Sequence, residues 1–290
     1  MKLEVVRNIA RDELTSLLAA AREHNGHDAL GEHKWLDIVF GKNYVAVKAT
    51  EDGDLVGYAH LSRHGSGWGL ETVVHPDRRA DVGEAVLRKA LEVAREEGGG
   101  HVHYWVFCPN QTHADVAHAL GFRKGRDLLH VCVPLPVEHE VPLPPGVSVR
   151  PFEPGRDEDA WLELNNRAFA GHPEQGDWSR EDLERRMKEA WFDPEDFLIA
   201  VDDAGIAGFN WTKLHGERRE GEIYVIGVDP GRTASGLGKG LLVAGLEHMA
   251  AKGMRTCCLY VEESNEHALA MYEKFGFKED HRDRAYTIDV

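Results

Sequence analysis

The chain has 290 residues, 50 acidic against 34 basic side chains, a formal net charge of −16 and 42% apolar residues. That composition excludes wholesale disorder, and the acidity argues against a nucleic-acid face. The longest apolar stretches fall well short of the roughly 20 residues a membrane-spanning helix needs. The N-terminus MKLEVVRNIARDEL has acidic residues where a secretory leader needs an apolar run, so a soluble, cytoplasmic protein is the expectation. Cys108, Cys132, Cys257 and Cys258 contain no CxxC pair and are too sparse for a disulfide framework. A salt-rich cytoplasm or an acidic binding site would each account for the surplus carboxylates, and the charge sum does not choose between them.

In chain order, TSLLAAAREHNG predicts a helix and YVAVKATEDGDLVGYAHL a hairpin turning at Asp52-Gly53. The strand ETVVHP leads through Pro76 to the helix GEAVLRKALEVAREEGG. The strand HVHYWVF, Asn110, the helix DVAHAL, Gly121-Phe122 and the strand LHVCVPL follow. Pro134 to Gly146 then holds five of the twelve prolines and predicts an extended connector.

Beyond it the order repeats. VSVRPF predicts a strand, AWLELNNRAFAG a helix, and FLIAVDDAGIAGFNWTKL a hairpin turning at Asp203-Ala204-Gly205. EIYVIGV leads through Asp229-Pro230 and a glycine-rich turn to the helix LLVAGLEHMAAKG. CCLYVE, Asn265, the helix HALAMYEKF and Gly276-Phe277 close the series. Pro76 and Pro230 are 154 residues apart, and Asn110 and Asn265, like Gly121 and Gly276, are 155 apart. A near-constant offset between several landmarks marks a duplicated α/β unit. The expected domains are 1–135, a proline-rich linker over 136–147, and 148–290. Each unit is a mixed sheet with helices against it, not a doubly wound nucleotide fold.

The turn Gly231-Arg-Thr-Ala-Ser-Gly-Leu-Gly-Lys-Gly240 follows a strand and opens a helix, where backbone N–H groups can surround phosphate oxygens. It lacks P-loop spacing, because Lys239 is followed by Gly240, and it is a poor dinucleotide fingerprint. With the preceding strand, the Asp-Pro turn and the distal Asn and Tyr before Gly-Phe, residues 222–277 resemble the Gcn5-related N-acetyltransferase (GNAT) superfamily. The pyrophosphate loop of that superfamily, Q/R-x-x-G-x-G/A, falls on Thr233-Ala234-Ser235-Gly236-Leu237-Gly238, with Thr in place of Gln or Arg. The segments NNRAFAGHPEQGDW, EAWFDP, WTK, GEIYVIGVDP and LYVEESN narrow the resemblance to a tandem, actinobacterial branch of the superfamily. That branch acetylates the cysteinyl amine of a cysteine–glucosamine–inositol pseudodisaccharide.

The resemblance implies two tandem GNAT domains, each with a mixed, mostly antiparallel sheet flanked by helices, and acetyl-coenzyme A as cosubstrate with no metal. It puts the general base on Glu222 and the general acid for the departing thiolate on Tyr272. Backbone groups of Ile226, Gly227 and Val228 should pair with the pantetheine arm and polarise the thioester, on a strand that parts from its neighbour. The loop from Thr233 to Lys239, with Asn265, should complete the cofactor site. Glu32, Glu174, Lys213 and Tyr260 should line the acceptor pocket beside Glu222, and since Glu32 lies in the first half, that pocket should draw on both halves.

The duplicate supplies a control. Its positions for Glu222 and Tyr272 hold Trp68 and Ala117, which cannot transfer a proton, and HPDRRADVGEAV keeps only Gly83 of the loop glycines. The resemblance implies a first domain able to bind acetyl-coenzyme A through Val73, Val74, Arg78 and Arg79 without catalysis, so one active centre is expected. Histidine pairs at 24 and 27, 101 and 103, and 113 and 118 have no Cys or carboxylate cluster to complete a metal site, and Cys257 and Cys258 alternate faces with at least one in the core. A monomer is compatible with the sequence. Two rivals stay open here: a tandem acetyltransferase for another amine, such as an antibiotic or a protein N-terminus, and an acyl-coenzyme A sensor without turnover. Glu222 and Tyr272 argue against the sensor.

Overall fold

Alternation and turn chemistry produce the strands where the sequence puts them. In the computed structural model, which describes residues 1–41, 44–64, 67–172 and 175–290, the first repeat comprises β1 (Lys2–Val6), α1 (Arg11–Asn25), α2 (Glu32–Phe40), β2 (Tyr44–Glu51), β3 (Asp54–His64), β4 (Gly67–Val74), α3 (Arg79–Glu96), β5 (His101–Val106), α4 (Gln111–Ala119) and β6 (Arg123–Pro134). The second comprises β7 (Ser148–Pro151), α5 (Glu158–Ala168), α6 (Arg180–Arg186), β8 (Phe197–Asp202), β9 (Gly205–His215), β10 (Glu220–Val228), α7 (Leu237–Ala251), β11 (Thr256–Glu262), α8 (Glu266–Lys274) and β12 (Lys278–Asp289). The order follows the sequence reading, with β1 added ahead of the first helix. Asp52 and Gly53 both take positive φ at the β2–β3 turn, a geometry that aspartate tolerates and that glycine, lacking a Cβ, adopts freely.

The chain forms two compact units, residues 1–128 with 282–290, and residues 129–281. Sequence repeats and compact units are therefore different divisions of the chain. In unit 1 the antiparallel run β1-β2-β3-β4 continues through the parallel pair β4–β5. The outer side of β5 is taken by β12, antiparallel, with Arg284 opposite Val106 and Asp289 opposite His101. Asp127, whose side chain is fully buried, accepts from Nε and Nη2 of Arg284 at 2.7 Å each, and these bonds hold its carboxyl down to about 2. Tyr286 packs into the main core of this unit with Leu61, Leu70, Leu87 and Tyr104.

In unit 2 the antiparallel run β7-β8-β9-β10 passes to the parallel pair β10–β11, and β6 lies outside β11. One face of this sheet is covered by α7 and α8 over Leu129, Ile223, Leu246, Met249, Leu259 and Phe277. The other face carries an aromatic cluster in which Trp161 and Trp211 are fully buried beside Phe197 and Phe209. α7 is apolar around most of its circumference, and it sits close to β9 because Gly245 lacks a Cβ. A methyl there would come within 2.2 Å of Asn210 Nδ2, which donates to the Leu241 carbonyl at 2.9 Å. Each unit is thus a mixed, mostly antiparallel sheet with helices against it. Among the described residues no helix is long and apolar enough to cross a membrane.

Candidate active site

The parallel pair in unit 2 is the organising feature of the site. β10 and β11 are in register only over Glu220–Glu222 and Thr256–Cys258, although β10 runs on to Val228 and β11 to Glu262. The strands therefore part immediately after Glu222. A register shift between Ile223 and Val225 against β9 marks the same place, where the extra residue turns the strand. Beyond it Ile226, Gly227 and Val228 stay paired to Asn210, Phe209 and Gly208 of β9, so the strand edge that faces the gap is held from behind.

Glu222 is opposite Lys213 on β9 and level with Cys258 on β11, which puts these side chains on one face of the sheet. Its carboxylate is partly exposed, and Oε2 lies 3.2 Å from Nε2 of His215. Lys213 Nζ sits 4.5 Å from the centre of the Trp191 ring and 5.6 Å from that of Tyr224. Tyr260, two residues beyond Cys258 on the same face, is 43% exposed and packs at 4.7 Å against His130 of β6. Glu222, Lys213 and Tyr260 are thus gathered on one face of unit 2. Glu32 opens α2 in unit 1, and Glu174 lies outside the described residues.

Tyr272 reaches β11 from the opposite face, where it packs with Cys257, Leu259 and Phe277. Burial pushes its hydroxyl up to about 12, so it stays protonated near neutrality, as a proton donor must. A carboxylate on one face and a phenol on the other can both address a group lying in the gap between the strands.

The glycine-rich turn supplies the anion end. Asp229 accepts from the Gly231 N–H at 2.9 Å, and this bond lowers the Asp229 pKa below the ordinary carboxylate range. Pro230–Ser235 form a 3-10 turn, and Gly236 then starts α7 at φ +82°, with nothing within 4 Å of where a Cβ would stand. Among the described residues no side chain caps that helix start, and Gly236 and Gly238 keep the approach open. The side chains of Thr233, Ala234 and Ser235 lie outside the described residues; Leu237 is buried and Lys239 exposed. A parted strand edge leading to an uncapped helix start suits a long thioester carrying a pyrophosphate, so the residues present fit acetyl-coenzyme A. Asn265 accepts from the Ala268 N–H at 3.1 Å as the N-cap of α8, which leaves its Nδ2 donors for a ligand.

Unit 1 repeats the gap with Trp68 and Ala117 at the positions of Glu222 and Tyr272. β4 and β5 pair from Trp68–Val102 to Glu71–Trp105, and Val73, Val74, Gly83, Tyr104, Val106 and Asn110 line a cavity of about 510 Å³ beyond that point. Trp68 is a core residue whose indole N–H donates to the Gly99 carbonyl, and Ala117 is fully buried. α3 starts from Arg78 at φ −127°, with no left-handed glycine, and Arg78 pairs with Glu51 at 3.5 Å. The side chain of Arg79 lies outside the described residues.

Two features escaped the sequence reading. His215 is two residues from Lys213 on one strand, so alternation alone would have placed it on the same face as Glu222. Cys132 and Cys258 form a disulfide, a single bond rather than a framework, which the sequence reading did not foresee. Nothing in their spacing reveals it, because it follows from β6 lying beside β11. Both Cys257 and Cys258 are buried.

The sequence profile of the acetyltransferase (GNAT) family matches residues 5–122 and again 159–277. The mycothiol acetyltransferase of Acidimicrobium ferrooxidans is 43% identical over 97% of this chain and 96% of its own length, and that of Thermomonospora curvata 42% over 96% and 91%. A GCN5-related N-acetyltransferase from Sphaerobacter thermophilus shares the fold with a TM-score of 0.73 and 23% identity, covering 99% of this chain and 95% of its own. A tandem GNAT protein from the clavulanic acid biosynthesis pathway does so with a TM-score of 0.77 and 19% identity, over 99% and 98%. With both repeats matched and relatives aligned nearly end to end, the chain belongs to the GNAT acetyltransferase family, in its mycothiol acetyltransferase branch.

Proposed function

We propose that this cytoplasmic enzyme transfers acetyl from acetyl-coenzyme A to the cysteinyl amine of the cysteine–glucosamine–inositol pseudodisaccharide. The observation that carries the proposal is the place of Glu222, the last residue of β10 in register with β11 before the strands part. A thioester lying in that gap presents its carbonyl to the β10 backbone, and an amine arriving from the face of Glu222, Lys213 and Tyr260 meets it. Glu222, directly or through a water, takes the proton of the attacking amine; an α-amine has a pKa of about 8, so a modest base suffices. The carbon–sulfur bond then breaks, and Tyr272 protonates the departing thiolate. Glu174 joins Lys213 and Tyr260 in our assignment of the acceptor's ammonium and hydroxyl contacts. The acceptor also carries a thiol, so selectivity comes from which group is held against the thioester.

A steady-state assay with the cysteinyl pseudodisaccharide and acetyl-coenzyme A tests the reading. Turnover with N-acetylation of the cysteine supports it, whereas turnover of unrelated amines alone, or cofactor binding without turnover, refutes it. A thiolate leaves readily, so Tyr272→Phe should slow kcat by only about tenfold, below the usual range for general acids; an unchanged kcat would remove Tyr272 from the mechanism. Calorimetric titration with acetyl-coenzyme A should saturate at one tight site per chain, because α7 has the left-handed glycine start that α3 lacks. Two equally tight sites would show that the cavity of unit 1 needs no such start.

A further inference from the structure

The face of unit 2 that carries Glu222 holds a second reactive group. Cys258, level with Glu222 where β10 and β11 part, is bonded through sulfur to Cys132 on β6. Cys258 is 1% exposed, while Cys132 is only partly buried. His130 Nδ1 lies 3.7 Å from the Cys132 sulfur and 3.2 Å from the Asp280 carboxylate. The His130 ring also stacks on His281 at 4.3 Å and meets Tyr260 at 4.7 Å. An Nδ1–H between a carboxylate and a sulfur favours a thiolate on Cys132. Cross-link, imidazole and Tyr260 therefore form one cluster next to Glu222. Cys257, on the other face of β11, is buried, and burial pushes its thiol up and out of reach of such exchange.

We infer that Cys132–Cys258 is a thiol–disulfide exchange site for low-molecular-weight thiols and their disulfides, and that its state sets how well the acceptor side of the site is formed. A thiolate RS⁻ attacks the Cys132 sulfur, the Cys132–Cys258 bond breaks, and the electron pair leaves on Cys258, which takes up a proton. A second RS⁻ attacks the outer sulfur of the mixed disulfide and releases Cys132 as thiolate beside His130. In sum, the protein disulfide and two RSH become two protein thiols and RSSR, and the reverse reaction closes the bond again.

Closed, the bond ties β6 to β11 at the level of Glu222 and holds Tyr260 against His130. Open, the strands keep their main-chain bonds and side-chain packing but lose the covalent tie, and Tyr260 loses the anchor two residues away. The inference rests on the proposed acceptor only for the physiological thiol: if the product is itself a thiol, its accumulation opens the bond and slows its own synthesis, and its disulfide restores the rate.

The experiment equilibrates the full chain in mixtures of reduced and oxidised glutathione, counts alkylated Cys132 and Cys258 by mass spectrometry, and compares the closed and open forms. The two thiols should disappear together as the mixture becomes more oxidising. The open form should have an acceptor KM at least about threefold higher, an acetyl-coenzyme A affinity within about twofold, and faster amide exchange across 256–262. Cys132→Ser should resemble the open form in every mixture. A pair that stays wholly open or wholly closed throughout overturns the inference, as do equal KM and equal amide exchange in the two forms. If neither form turns over the pseudodisaccharide, the acceptor assignment falls, and amide exchange alone decides the coupling.

Discussion

Glu222→Gln is expected to lower kcat by about 10²–10⁴-fold while leaving the acetyl-coenzyme A Kd within about twofold. Glutamine keeps the volume of the side chain and can still hydrogen-bond to His215, which lies 3.2 Å from the carboxylate. It cannot take a proton. The proposed cofactor contacts lie further along β10 and at the start of α7, on backbone that the substitution leaves alone. A loss confined to kcat is therefore the mark of a base, and a loss shared with cofactor affinity would signal a disturbed strand instead. Activity within tenfold of the parent would remove Glu222 from proton transfer. Because the corresponding residue of unit 1 is the core residue Trp68, the same substitution also asks whether the first repeat contributes any turnover.

Trp211→Ala should cost about 3–5 kcal/mol of stability, the range for emptying a buried tryptophan site. The Trp211 ring stacks on Phe197 at 4.3 Å and meets Tyr224 at 5.3 Å, with Trp161, Trp191 and Phe192 each at 5.8 Å. Few side chains in the molecule hold so many others in place. The effect reaches the site, because Trp191 is the ring over which Lys213 sits. Denaturant unfolding should show a large fall in midpoint, and the folded fraction should have a raised acceptor KM. Trp211→Phe keeps most of the contacts and should lose much less. A cost below about 1 kcal/mol for the alanine variant would mean that the cluster closes over the gap.

What could be read from the sequence was what depends on neighbours along the chain. The β2–β3 turn at Asp52-Gly53, the glycine start of α7 and the order of strands and helices in each repeat are all local, and propensity and periodicity report them. Glu222 and Tyr272 carried no local signal strong enough to stand alone; one is a glutamate after a glycine and the other a tyrosine on an apolar helix face, and the family resemblance singled them out. The partner strand of β5 and the Cys132–Cys258 bond stayed invisible for another reason. Arg284 and Asp127 meet across 157 positions, and no window along the chain spans that separation. His215 sits between these cases, since alternation from Lys213 was available and went unused.

Unit 1 needs residues 282–290 to be whole, and this has a consequence for how the protein is made. During translation the first 128 residues emerge early, with the outer side of β5 still unoccupied. An exposed strand edge is a template for wrong pairing, and this one must wait until almost the entire second repeat has left the ribosome. Emergence of β12, rather than completion of the first repeat, is then the event that lets unit 1 reach its final form, and a nascent chain stopped after residue 135 should be held by chaperones. A cut between the repeats would take β12 from unit 1 and the part of β6 after residue 128 from unit 2, so neither repeat by itself contains a whole compact unit.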